Sequence, residues 1–265
     1  MRRGHGDVSL RETMTVPWAE AEVVTILFLA TIIRSAFGFG EALVAVPLLA
    51  LVVPVEVAAP IAVLVSILVA LIVVVQDWRH VQVHSAGRLL LFTLAGIPLG
   101  LLLLKEVAEP VVKSVLAVLI AAFAIFSLLG GGKHELKNDR WAWVFGFVAG
   151  VLGGAYGMNG PPLAIFGALR KWPPEHFRAT LQGYFLPASL LGMCGYWLAG
   201  LWTPAVNRLF LVSLPAVLLG IWLGRKINQR VNTRGFHLAI HLGLIVIGVI
   251  LLLQAAGGHA RAALP

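Results

Sequence analysis

The sequence has little charge and almost no cysteine. Only 12% of its 265 residues are charged, whereas a soluble domain usually carries about 25% because water must wet its surface. The shortage of charge excludes an ordinary water-soluble globular domain. The single cysteine, Cys194, excludes a disulfide framework and a metal site built from several cysteines.

Several chemical signatures are also missing. The chain has no Walker sequence, no GxSxG and no HExxH, so an ATP-driven pump or an intramembrane hydrolase lacks its chemistry here. We therefore expect neither an enzyme nor a cofactor. His237 and His241 lie four residues apart but have no carboxylate or cysteine near them in sequence, and we expect no metal site. The net charge of +8 comes from basic residues scattered singly, which argues against a nucleic-acid partner.

Apolar residues dominate the chain. They make up 59% of it, and the mean hydropathy is +0.92. Backbone in lipid must satisfy its own hydrogen bonds, so apolar runs of membrane-spanning length indicate helices. We predict a single all-α, polytopic membrane domain. Its apolar runs cover residues 20–53, 57–75, 89–104, 111–129, 141–170, 177–200, 207–224 and 236–254.

Two of these runs are interrupted. As one helix, 20–53 would be about 51 Å long against about 30 Å of hydrocarbon, and it contains Gly-Phe-Gly-Glu at 38–41. The run 141–170 contains a glycine-rich stretch at 153–160 followed by two prolines. Glycine loosens a helix and proline cannot donate a backbone hydrogen bond. Both runs are therefore predicted to be broken helices.

The breaks occupy matching positions in two halves of the chain. A shift of 119 residues places Gly38 on Gly157 and Pro54 on Pro173, and a shift of 120 places Gly100 on Gly220. Such correspondence indicates an internal repeat. We predict a polar segment at 1–19, transmembrane repeat 1 at 20–130, a cytoplasmic linker at 131–140, transmembrane repeat 2 at 141–254 and a tail at 255–265.

The distribution of Lys and Arg favours opposite orientations for the two repeats. If every broken run crosses once, the two sides carry 10 and 9 basic residues; if each enters and returns, they carry 12 and 7. Only the second arrangement follows the positive-inside rule clearly. Each repeat then has a broken helix or re-entrant hairpin plus three transmembrane helices, the repeats are inverted, and both termini face outward. A start at Met14 would lower the outer count to 4.

The chemistry predicted at the breaks is anion binding. A helix that begins inside the membrane presents unpaired N–H groups and the positive end of its dipole, and two such starts are expected near Glu41 and Pro161. Arg34 lies one turn before the first break, where a charge is costly unless it faces protein or a cavity. The predicted substrate-binding residues are Arg34, Gly38, Gly40, Glu41, Ala42, Gly157, Asn159, Gly160, Pro161 and Gln182.

Structural roles stay open for the same residues. Arg34 and Glu41 can form a clamp, the glycines can serve only close helix packing, and Gln182 can make an interhelical hydrogen bond. Glu41 is also the candidate coupling or gating residue, because the charge of a bound substrate and the protonation of Glu41 would influence each other over a short distance.

The two breaks carry a family resemblance. Residues 36–41, Ala-Phe-Gly-Phe-Gly-Glu, lead to Pro47, and Gly153-Gly154 is followed by Gly157 and by Gly-Pro-Pro at 160–162. These segments resemble the paired signatures of the TauE/SafE family of sulfite and organosulfonate exporters, and the likeness extends from about 20 to 254. Glu41 stands where that family often shows another glycine. The resemblance implies a multi-pass permease of a bacterial-type plasma membrane that carries small sulfur oxyanions.

We therefore predict a secondary transporter, in the direction of export, for sulfite or an alkylsulfonate, with protons as the coupling ion. Its partners would be the anion and the lipid bilayer. An uncoupled anion channel, or a membrane scaffold whose breaks serve packing alone, would also fit the residues.

Overall fold

The computed structural model describes residues 17–77, 81–128 and 135–228, and all regular elements in these ranges are helical. This confirms the all-α prediction for the described part. The last apolar run at 236–254, His237, His241, Met14 and the tail at 255–265 lie outside the described residues. The α-helices, in chain order, are α1 (Pro17–Phe37), α2 (Glu41–Val52), α3 (Val55–Asp77), α4 (Val83–Glu106), α5 (Glu109–Leu128), α6 (Ala142–Tyr156), α7 (Gly160–Leu169), α8 (Pro174–Leu198) and α9 (Pro204–Asn228), with a short 3₁₀ helix at Asp139–Trp141.

Helix lengths distinguish α2 and α7 from the described helices that are long enough to span a membrane. Three segments are long and apolar enough to cross a membrane: Val55–Val75 in α3, Val83–Glu106 in α4 and Pro204–Ile227 in α9. By contrast, α2 and α7 are apolar but have only 12 and 10 residues. At 1.5 Å per residue they are about 18 Å and 15 Å long, roughly half of the hydrocarbon thickness.

Both breaks lie where glycine and proline predict them. α1 ends at Phe37 and α2 begins at Glu41, with Gly38 and Gly40 between them at φ 84° and 97°. α6 ends at Tyr156, before Gly157 at φ 65°. These backbone conformations are left-handed, and glycine adopts them without the steric penalty of a Cβ atom.

Glycine residues allow two pairs of helices to pack closely. α4 packs along α6 and α1 along α9. A Cβ atom added to Gly100 would overlap the Val151 carbonyl oxygen of α6, and one added to Gly224 would lie 2.6 Å from the Ser35 Cβ of α1. Small residues of this kind let helix backbones approach in a membrane. α3 lies among α2, α8 and α9, and much of its length is buried.

Polar contacts gather three connecting segments at one end of the molecule. The linker residue Asp139 pairs with Arg170 at 3.0 Å, the Leu136 amide donates to the Leu169 carbonyl, and the Gln82 amide donates to the Thr180 hydroxyl. If each broken run crossed the membrane once, the segment at 170–178 would be on the other side from the segments at 76–88 and 131–140. The contacts therefore fit a second run that enters and returns.

Candidate functional site

A buried ion pair spans the first break. Arg34 Nη1 lies 2.5 Å from Glu41 Oε2, and the two residues are only 3% and 2% exposed. Arg34 occupies the last turn of α1 and Glu41 the first turn of α2. A cation at a helix carboxyl end and an anion at an amino end are each stabilised by the helix dipole. The break therefore places both charges where the backbone favours them.

Two further helices, α3 and α8, hold the guanidinium of Arg34. Arg34 Nη1 donates to Ser66 Oγ of α3 at 2.7 Å, and Nη2 donates to Gln182 Oε1 of α8 at 2.9 Å. The Phe185 ring lies 5.1 Å from the guanidinium carbon, a cation–π distance. Arg34 Nε, in contrast, has no hydrogen-bond partner among the described residues, and neither has Glu41 Oε1. One donor of the cation and one acceptor of the anion are thus buried but unused.

The second half of the chain supports the first break directly. Gln182 donates from Nε2 to the Gly38 carbonyl at 2.7 Å while its Oε1 accepts from Arg34. Ser66 is linked in turn to Ser189 of α8 by a hydrogen bond of 3.1 Å. The interhelical hydrogen bond considered for Gln182 is therefore present, and its partners, Arg34 and Gly38, are themselves predicted substrate-binding residues.

A cavity of about 20 Å³ lies between the two breaks. It has room for about one water molecule. Eight of the ten predicted substrate-binding residues line it, while Gly38 and Gln182 are not in its lining but contact each other. The predicted residues in the lining are Arg34, Gly40, Glu41, Ala42, Gly157, Asn159, Gly160 and Pro161, and the others are Phe39, Leu43, Ser66, Met158 and Phe185.

The two helix starts are unequal as hydrogen-bond donors. The first amides of α2, at Glu41, Ala42 and Leu43, have no carbonyl partner within the helix. At α7, two of the residues expected to supply donors are Pro161 and Pro162, which carry no N–H. Asn159 is the N-cap residue, yet its side chain makes no capping hydrogen bond. The first break is therefore the main source of directed backbone donors, and α7 contributes chiefly its dipole.

Sequence reasoning did not select Ser189, which contacts Ser66, or five residues of the cavity lining: Phe39, Leu43, Ser66, Met158 and Phe185. The two serines are single polar residues within apolar helices, and serine is common at membrane helix interfaces whether or not a ligand is near. Their positions carried no distinguishing pattern. In the described part of the chain, no three His, Cys, Asp or Glu side chains come together as a metal site would require.

Comparison with known proteins identifies the family of the chain. A family model described as "Sulfite exporter TauE/SafE" matches residues 23–251, most of the chain. No curated protein and no solved structure matches. The match confirms the family resemblance carried by the two glycine-rich breaks.

Proposed function

The chain belongs to the sulfite exporter TauE/SafE family, a family of membrane transporters, and from that premise we propose that it is a secondary transporter that exports small sulfur oxyanions. Sulfite and short alkylsulfonates are the proposed substrates, and a bacterial-type plasma membrane is the proposed location. The observation that carries the proposal is Arg34, a buried cation whose Nε–H is unused and which lines a cavity between two helix starts.

The donors around the cavity suit an oxyanion with several equivalent oxygens. The guanidinium offers N–H groups in a fixed plane, which match sulfonate or sulfite oxygens better than a point charge would. The first residues of α2, Glu41, Ala42 and Leu43, line the same cavity, and a helix amino end adds favourable potential for negative charge. Phe39, Met158 and Phe185 supply an apolar part of the cavity wall, and electrostatic interactions are stronger in such surroundings than in water.

We further propose that the two halves are inverted repeats whose breaks meet near the membrane midplane. The short lengths of α2 and α7 support this position. Equivalent contacts support the repeat: Gln182 contacts Gly38, and its counterpart 119 residues earlier, Val63, lies against Gly157. The glycine-packed pairs α1–α9 and α4–α6 correspond in the same way.

A transport cycle requires the breaks to separate. A cavity of about 20 Å³ holds about one water molecule, which is less than a sulfonate group occupies. Substrate entry must therefore widen the space between α2 and α7. The glycines at both breaks supply backbone that can turn without a steric penalty.

The proposal is tested by flux of radiolabelled sulfite and methanesulfonate into proteoliposomes. We expect saturable uptake by the wild type and at least a tenfold loss with Arg34→Lys, which keeps the charge but loses the planar donors. Arg208→Lys is the matched control, because Arg208 is an exposed arginine that pairs with the partly buried Glu20 at 2.7 Å.

Two outcomes would overturn the proposal. Absence of both flux and anion binding in a folded wild-type protein would indicate a membrane scaffold instead of a transporter. Flux that never accumulates substrate against its gradient, under any imposed ion gradient, would indicate an anion channel.

A further inference from the structure

We infer that Glu41 is a tethered competitor of the substrate, which holds Arg34 when the site is empty of anion and takes up one proton when the anion binds. The inference rests on the proposed function and specifies how it is regulated and coupled. Its basis is the Arg34–Glu41 pair, in which a carboxylate of the protein occupies the guanidinium that an oxyanion would need.

The charge of the buried site allows only one arrangement with substrate bound. Arg34 and Glu41 are the charged side chains that line the cavity in the described part of the chain. Their neighbours from α3, α8 and the second break are the neutral Ser66, Gln182 and Asn159. With the ion pair intact the site is neutral, and a monovalent anion would make it negative by one charge.

An uncompensated charge in a buried site is strongly unfavourable. Proton binding to Glu41 removes it, because one cation and one anion then remain. The proton comes from water on the side to which the site is open, and it binds a carboxylate oxygen of Glu41. The anion replaces that carboxylate on Arg34, so net charge is zero before and after.

The geometry around Glu41 permits this exchange. Glu41 Oε1 has no close hydrogen-bond partner among the described residues, and the neutral Thr31 of α1, whose hydroxyl is also unpaired, lies near this carboxylate. Oε1 can therefore accept a proton. Ser66, Gln182 and Phe185 hold Arg34 from other directions, so the cation stays in place when the carboxylate leaves. Glu41 also follows Gly40, whose φ of 97° places it in a conformation from which glycine can readily turn.

The second break has no such pair at the matching positions. A shift of 119 residues places Arg34 on Gly153 and Glu41 on Gly160. The site is therefore asymmetric, with one cation and one carboxylate. This predicts one proton for each monovalent anion.

The test uses methanesulfonate, a strong-acid anion whose charge does not change with pH, so any pH dependence belongs to the protein. Cotransport of one proton with the anion is reversible, so export from a cell would be driven by the outward gradient of the anion, against an inward proton gradient. In wild-type proteoliposomes, an inward proton gradient should drive accumulation, whereas a potassium diffusion potential set with valinomycin should not, because the cotransport is electroneutral. Binding should weaken by up to about tenfold for each unit that the pH rises, over the range in which Glu41 must gain a proton on binding.

Glu41→Gln should reverse this pattern. The amide is always neutral, so the variant should bind methanesulfonate independently of pH. Its flux should respond to the electrical potential and no longer to the proton gradient. Glu20→Gln, which removes the surface carboxylate that pairs with Arg208, is the control and should behave as the wild type.

The outcomes separate the inference from the proposed function. Proton-driven accumulation that persists in Glu41→Gln would overturn the inference while leaving anion transport intact. Lack of flux in the wild type would instead overturn the proposed function.

A second measurement does not depend on a folded variant. In weakly buffered detergent solution, the wild type should take up one proton per methanesulfonate bound, read with a pH-indicator dye. Binding without proton uptake would refute the role of Glu41.

Discussion

Gln182 on α8 donates a hydrogen bond of 2.7 Å to the carbonyl of Gly38, inside the first break. The same amide accepts a hydrogen bond from Arg34 at 2.9 Å. One side chain from the second half of the chain therefore satisfies both the backbone of the break and the charge beside it. Because Gln182 is only 1% exposed, water cannot easily replace it.

Gln182→Leu should destabilise the protein and weaken anion binding. The change leaves the Gly38 carbonyl and an Arg34 donor buried without partners, at a cost of about 2 to 5 kcal/mol for the two groups together. Thermal unfolding in detergent measures the first effect and methanesulfonate binding the second. Gln82→Leu removes an exposed amide that contacts His176 and should change the unfolding temperature little. Equal unfolding temperatures for the two variants would contradict the role assigned to Gln182.

Gly157→Ala should disturb the second break. The left-handed φ of 65° costs an alanine about 1 kcal/mol, and the new Cβ would lie 2.9 Å from Val63 Cγ2 and 3.0 Å from the Ala59 carbonyl oxygen. Crowding of this kind adds about 1 to 3 kcal/mol. Gly200→Ala has a similar φ of 74° but open space around its Cβ, so it isolates the backbone cost.

The comparison is read from the unfolding temperatures of the two variants. Val63 is buried, so Val63→Ala is destabilising by itself. The double variant Gly157→Ala with Val63→Ala should lose less stability than the sum of the two single variants, because the contact with Val63 Cγ2 is relieved while the carbonyl contact remains. A loss no larger than that of Gly200→Ala would show that the second break is not tightly packed.

Gly100→Ala should separate α4 from α6. Its Cβ would overlap backbone atoms of α6, including the Ala155 nitrogen at 2.7 Å, and backbone cannot move aside as a flexible side chain can. We expect a loss of about 3 kcal/mol and a lower yield of folded protein. Gly87→Ala, in the same helix with no atom within 4 Å of its Cβ, should be neutral or stabilising by up to about 1 kcal/mol. A stable Gly100→Ala protein would argue against the observed helix contact.

Labelling of single cysteines should place the connecting segments. In a Cys194→Ala background, Gln82→Cys and Lys171→Cys should be protected from a membrane-impermeant maleimide in intact cells. The segments at 76–88 and 170–178 belong, with the linker at 131–140, to the side that carries 12 basic residues and is proposed to face the cytoplasm. Trp202 follows the opposite end of α8 from Lys171, so Trp202→Cys should react. Reaction of Lys171→Cys from outside would refute the inverted orientation and the return of the second broken run.

Much of the fold was predictable because it depends on local chemistry. The apolar runs had to be helices in a medium without water, and glycine with proline had to interrupt them, so the ends of α1, α2, α6 and α7 fall close to their predicted positions. Pro161 and Pro162 show where this local reasoning was incomplete. Proline at a helix start indicates where α7 begins, but it lacks the N–H donors that the helix start was expected to supply.

The site was predictable only in part, for a physical reason. A charge in an apolar run is so costly that Arg34 can be identified as a candidate site residue from the sequence alone. The glycines around Gly38 and Gly157 identify the breaks. The sequence thus determined the helical class, the two interruptions and the cation between them. Only the tertiary structure decided that Ser66 and Gln182 converge on Arg34 and that Glu41 pairs with it. Weakly polar side chains cost little free energy in a membrane helix, so their role depends on the residues that packing places beside them.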